Sequence, residues 1–190
     1  MPHKHYKLYK PAGYLSQFIN NQSRRKNKKL LGELYDFHAE TMPIGRLDEN
    51  SEGLLLLTTD GKVSYKILKG GVEKEYWVQV NNEITDEAIS QLGHGLEISI
   101  NGKPYKTKTC KAHKISTPDL PEPQRPVKPQ AGNVTSWISI TLTEGKFRQV
   151  RKMTAKVGFP TLRLVRVRIG QEYIGNMQPG EVKALERFSF

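Results

Sequence analysis

The sequence predicts an α+β fold, and three observations support it. Runs rich in β-branched and aromatic residues, notably 74–80 and 137–142, have the alternation of strands. Apolar residues at three- and four-residue spacing mark three or four short helices. Asn101-Gly102 stands between two extended runs, a strong hairpin signal. At 190 residues the chain can bury a full core, as one domain or two closely joined subdomains.

Taken in order, residues 6–18 begin as a strand that Pro11-Ala12-Gly13 breaks. Residues 20–29 are polar, with Arg24, Arg25, Lys26, Lys28 and Lys29 forming either a solvated loop or a phosphate-contacting arm. Leu30, Leu31, Leu34 and Phe37 predict a short amphipathic helix. Leu54 to Leu57 read as a buried strand closed by an Asp60-Gly61 turn, although an apolar run this short is also compatible with buried helix; a second helix is expected around 63–68, ended by Gly70-Gly71. In the strand 74–80, Tyr76, Val78 and Val80 share a face. Thr85 caps a helix that has acids in its first turn and that Gly93 and Gly95 terminate. Residues 96–100 and 103–115 form the hairpin, the second arm strongly basic. Five prolines between Thr117 and Asn133 predict a loop, not a domain boundary.

After the strand 137–142, a helix over 148–157 gathers Val150, Met153, Thr154 and Val157 on one side. Arg148, Arg151, Lys152 and Lys156 fall on the other, and Gly158 stops it. Residues 161–169 are extended, with the alternation changing phase between Leu164 and Val165, the mark of a bulge or of a strand crossing between packing environments. A short strand, a Pro179-Gly180 turn and a final strand or helix end close the chain.

With 30 Lys+Arg against 19 Asp+Glu, a net charge of +11 and a pI near 9.7, a polyanion is the partner to expect. No apolar run reaches the ~20 residues of a membrane span and no signal-peptide core opens the chain, so the expectation is a soluble cytoplasmic monomer without membrane attachment. One cysteine, Cys110, excludes an intramolecular disulfide and any multi-cysteine metal site. His3 and His5 lack a third ligand and are expected to be solvated, so no metal is predicted.

The stretch with most chemical content is Ile44-Gly45-Arg46-Leu47-Asp48-Glu49-Asn50-Ser51-Glu52-Gly53. In extended backbone the Asp48 carboxylate and the Arg46 guanidinium, two residues apart, leave on the same side. Gly45 and Gly53 allow unusual dihedrals or close approach of another backbone. Spacing alone also admits Asp48 as an ordinary turn residue.

Three stretches in order then carry a resemblance: Gly45-Arg46-Leu47-Asp48 with Ser51 to Thr58, Lys74-Glu75-Tyr76, and Glu144-Gly145-Lys146-Phe147-Arg148-Gln149-Val150-Arg151-Lys152-Met153. Together with residues 162–170 and Pro179-Gly180-Glu181 they resemble the RsuA-type family of rRNA pseudouridine synthases over nearly the whole chain. Tyr6 to Pro11 is similar to that family's first catalytic strand, so the family's S4-like RNA-binding domain is not expected here. The subgroup resembled is the RluE-like one, which modifies 23S rRNA. The resemblance implies a single catalytic domain of two subdomains, a mainly antiparallel sheet and an active cleft between the subdomains. It implies Asp48 as nucleophile, Tyr76 stacking on the base and aiding proton loss at C5, and Arg151 pairing with the nucleophile. It further implies Arg46 holding the flipped nucleotide and Leu164 packing the pocket. Arg148 and Lys152, on the basic helix face, are the candidate RNA contacts. No cofactor is implied.

Two rivals stand beside it. A non-catalytic rRNA-binding or ribosome-assembly protein would use the same basic surfaces with Asp48 structural. A hydrolytic glycosidase would pair Asp48 with Glu49 or Glu52, but successive residues of a strand point apart.

Overall fold

The computed structural model describes residues 2–20, 27–130, 132 and 134–190. Arg24, Arg25 and Lys26 of the basic run lie outside the described residues. The strands are β1 (His5–Lys10), β2 (Met42–Pro43), β3 (Glu52–Thr58), β4 (Lys74–Asn81), β5 (Glu97–Ile100) and β6 (Lys103–Lys106). After them come β7 (Lys111–Ile115), β8 (Thr135–Leu142), β9 (Thr161–Ile169), β10 (Glu172–Tyr173) and β11 (Val182–Leu185). The helices are α1 (Gly61–Lys69), α2 (Asp86–His94) and α3 (Gln149–Lys156). The architecture is mixed, with a mainly antiparallel sheet and three helices among the described residues, as the α+β expectation has it.

Two compact units form: Met1–Val72, Pro121–Arg125 and Arg166–Phe190 in the first, Glu73–Leu120 and Pro126–Val165 in the second. Strand β9 passes from the second to the first after Val165, one residue beyond the change of phase between Leu164 and Val165. The proline-dense loop also departs from the expectation, since its residues 121–125 pack with the first unit while both flanks belong to the second.

In the first unit the strand order is β11-β1-β3-β9, with β2 on β3 and β10 on β9. All seven residues of β3 are buried. Burying one leucine contributes about 2 kcal/mol, so Leu54 to Leu57 form the apolar floor of the unit. Tyr6, Leu8, Leu31, Leu55 and Leu57 make one cluster, closed by Phe18, Leu34, Phe37 and Val182. This packing explains a miss. The 30–37 periodicity is satisfied by a single 3-10 turn, Leu31–Glu33, that drops Leu31 into the cluster. Asp60-Gly61 follows β3 and opens the expected helix: Asp60 accepts from Lys62 N at 2.8 Å and Val63 N at 3.4 Å, capping α1. His5 is also buried, not solvated; its ring nitrogen meets Thr58 Oγ1 at 2.9 Å, and burial lowers its pKa against the opposing pull of Asp60.

In the second unit the order is β9-β4-β8-β7, with β5-β6 a separate hairpin. Asn101 and Gly102 both take positive φ, as a two-residue hairpin turn requires. The basic second arm is not one strand. It stops at Lys106 because the buried Thr107 turns inward to accept from Leu96 N at 2.9 Å, and β7 restarts against β8. Thr85 caps α2 through Ala88 N, and Gly95 ends it at φ 79°. The Cys110 thiol donates to Leu92 O at 3.2 Å and is pushed by burial to about 11, so it is a packed group and not a nucleophile.

Candidate active site

Asp48 sits in the first unit, half-buried, between β2 and β3. Arg46, Leu47 and Asp48 belong to no strand. The chain bends at Ile44-Gly45 and turns again over Asp48 to Ser51, where Ser51 N donates to Asp48 O at 3.0 Å. Arg46 is exposed.

Apolar anchors and hydrogen bonds fix this turn from below. Ile44 and Leu47 are buried, and Ile44 N donates to Leu56 O at 2.8 Å. Buried Ser16 holds Leu47 by both backbone groups: its hydroxyl donates to Leu47 O at 2.8 Å and accepts from Leu47 N at 2.9 Å. Glu49 O accepts from Gly13 N at 2.7 Å, and Lys28 Nζ lies 2.7 Å from both Glu49 carboxylate oxygens. Gly45 has φ 71° and Gly53 φ 108°, and a Cβ on Gly53 would lie 2.3 Å from Arg166 O. The glycine expectation is therefore met in both of its forms, unusual dihedral and close backbone.

Beneath the turn lies a residue that the sequence reading passed over. Lys10, at the end of β1, is fully buried, and its ammonium donates to Pro11 O and Tyr14 O at 2.8 Å and Glu49 O at 3.3 Å. Burial lowers its pKa to about 7, against Glu52, Asp48 and Glu49, which raise it. It thus ties the nucleophile candidate's turn to β1. A signal existed: Lys10 follows Tyr6 and Leu8 in the inward phase of β1. Glu52 is buried as well and accepts from Tyr9 OH at 3.1 Å.

The remaining candidates belong to the second unit. Tyr76 is buried on β4, whose alternating burial matches the expected face of Tyr76, Val78 and Val80. Leu164 is buried on β9, the strand beside β4. Arg148, Arg151 and Lys152 are brought together by α3, which buries Val150, Met153 and Thr154 on its other side. Arg148 is the residue before the helix and holds φ 53°, a left-handed conformation that costs a non-glycine residue ~1 kcal/mol. Buried Gln149 keeps that geometry, since its amide oxygen accepts from Lys146 N at 3.0 Å and its nitrogen donates to Glu144 at 2.7 Å. Lys152 Nζ donates to Ser99 O at 2.7 Å and lies 5.3 Å from the centroid of exposed Phe147. Beyond α3, Lys103, Lys106, Lys108, Lys111 and Lys114 are all exposed, Lys111 paired with Glu73 at 2.7 Å and Lys114 with Asp86 at 3.2 Å.

Comparison with known proteins gives the arrangement a context. A profile of the family described as RNA pseudouridylate synthase matches residues 4–156. The ribosomal large subunit pseudouridine synthase E of Vibrio vulnificus is 40% identical over 180 residues, spanning 93% of this chain and 72% of that protein. The protein of the same name from Xanthomonas campestris is 37% identical over 92% of this chain and 91% of its own. A crystal structure of a pseudouridylate synthase superposes with a TM-score of 0.74 at 23% identity, covering 96% of this chain and 70% of that one, and so shares the fold.

Proposed function

On the premise that the chain belongs to the RNA pseudouridylate synthase family, we propose that it isomerises uridine to pseudouridine in the RNA of the large ribosomal subunit, 23S rRNA, with Asp48 as nucleophile. One observation carries the residue assignment. Asp48 is half-buried on a turn where Ser16, Gly13, Lys28 and Lys10 hold the neighbouring residues Leu47 and Glu49 from several sides, so the backbone that presents its carboxylate is fixed before reaction.

The reaction conserves atoms. A carboxylate oxygen of Asp48 attacks the ribose carbon, the bond from C1′ to N1 breaks, and the detached uracil turns. A bond from C1′ to C5 then forms as the oxygen leaves, C5 loses its proton and N1 gains one. Nothing is oxidised or reduced.

A carboxylate is ionised at neutral pH, so what it needs is placement, exclusion of water and nearby cations. Arg151 supplies a further guanidinium to the reaction and Arg46 holds the extruded nucleotide. Tyr76 presents an aromatic face to the base, which offsets part of the few kcal/mol lost on unstacking, and assists proton loss at C5. Leu164 supplies apolar wall. Arg148 and Lys152, with the exposed lysines from 103 to 114, neutralise phosphates.

The test is genetic. Pseudouridines in rRNA are mapped in cells with the gene, without it, and complemented with Asp48→Asn. The proposal expects one large-subunit position to lose modification on deletion and to stay unmodified with the variant. Restoration by Asp48→Asn would favour the non-catalytic rRNA-binding reading.

A further inference from the structure

In the proline-dense loop, residues 121–125 pack with the first unit while both flanks do not. At the end of that segment, Arg125 reaches the turn that carries Asp48. Its Nη1 donates to Asn50 Oδ1, and its Nη2 lies 4.0 Å from Glu49 Oε1. The guanidinium also lies against Gly13, where a Cβ would stand 3.4 Å from Nη2. Gly13 in turn donates its N–H to Glu49 O at 2.7 Å. One side chain therefore touches the two middle residues of the Asp48 turn and the glycine that braces them.

An exposed ion pair ordinarily contributes little, because ordering two long side chains offsets the attraction. Three features reduce that cost here. Glu49 is already ordered by Lys28 at 2.7 Å. The guanidinium fork is planar and presents its donors in fixed directions. Pro121, Pro123 and Pro126 fix φ around Arg125 and limit what the free loop has to lose.

We propose that Arg125 is a positioning residue: it straps the Asp48 turn from outside, through Asn50 and Glu49, so that the proline-dense loop sets the aim of the nucleophile. The inference rests on the reading of Asp48 given above.

The experiment measures single-turnover conversion of a 23S rRNA transcript at saturating enzyme, together with RNA affinity and melting temperature. The variants are Arg125→Ala, Arg125→Lys, Asn50→Ala, the double Asn50→Ala/Arg125→Ala, and Asp48→Asn. Arg125→Ala is expected to slow conversion about tenfold, since small misplacements of a reacting group cost that much or more. RNA affinity stays within about twofold, Arg125→Lys recovers part of the rate, and the double variant is no slower than Arg125→Ala alone. A wild-type rate in Arg125→Ala, additive losses in the double variant, or a loss confined to RNA affinity would overturn the strap. So would a rate that returns to wild type on cooling below a lowered melting point. Should Asp48→Asn convert RNA normally, the reading beneath the proposal falls instead; an inactive Asp48→Asn beside a fully active Arg125→Ala removes only the strap.

Discussion

Replacing Gly53 with alanine places a methyl group where the fold has no room for it. The new Cβ would lie 2.3 Å from Arg166 O, 2.6 Å from Arg166 N and 3.0 Å from Arg166 C, all backbone atoms that cannot rotate away. Residue 53 also holds φ 108°, which an L side chain rarely adopts. Backbone strain of this kind costs ~1–3 kcal/mol. Forcing an extra carbon into close packing costs ~1–3 kcal/mol more. A total near ~4 kcal/mol is a large part of the ~5–15 kcal/mol that holds a domain together. For a chain of this size it lowers the melting temperature by about 10 °C. Urea unfolding of wild type and Gly53→Ala, with matched m-values, reads the difference. Gly61→Ala is the control. Gly61 has no positive φ and open space at the Cβ position, so alanine there is neutral or slightly stabilising. A Gly53→Ala protein within ~0.5 kcal/mol of wild type, the range of an ordinary surface change, would refute the close approach of Arg166 to β3.

Three further outcomes follow from the same geometry. Ser16→Ala leaves the backbone N–H of Leu47 without its hydroxyl partner and should cost ~1–3 kcal/mol in urea unfolding, with slower conversion at unchanged RNA affinity. Lys10 has a folded-state pKa near 7, below its ordinary value, so the folded state releases the proton first and stability contributed through this group rises as pH climbs from about 7 towards the unfolded value. Relative to Lys10→Met, wild type should therefore gain roughly 2 kcal/mol between pH 6.5 and 8.5; a pH-independent difference would contradict the buried ammonium. RNA affinity should fall steeply with salt, and Arg148→Ala and Lys152→Ala should each reduce the slope by about one unit, which a salt titration of binding checks.

Much of the fold could be read from the sequence wherever local preference and tertiary packing agree. Leu54 to Leu57 form a buried strand, Asn101-Gly102 makes its hairpin, Thr85 caps its helix, and the basic and apolar sides of α3 separate as their spacing requires. The misses have a common cause in long-range packing. Leu30 to Phe37 has helical spacing, but its side chains reach the first unit's core cluster with one 3-10 turn. The 103–115 arm breaks because the Thr107 hydroxyl accepts a bond from across the hairpin, a contact with no local signature.

At the site, Asp48 and its bracketing glycines are legible because a motif and a turn put them close in sequence. Their supports come from residues 10, 16, 28 and 125, far along the chain. Lys10 alone left a trace, as a charged residue in an inward phase. Arg125 left none, because nothing in a proline-dense loop says which way its side chains turn.

Purified protein tests the proposed role of the Asp48 carboxylate in the chemistry. Wild type and Asp48→Asn are incubated with a 23S rRNA transcript, and pseudouridine formation and RNA binding are followed in parallel. Asp48→Asn is expected to bind the transcript within about twofold of wild type and to form no pseudouridine, because an amide of the same shape lacks the nucleophilic charge. Pseudouridine formed by Asp48→Asn at a rate comparable to wild type would contradict it.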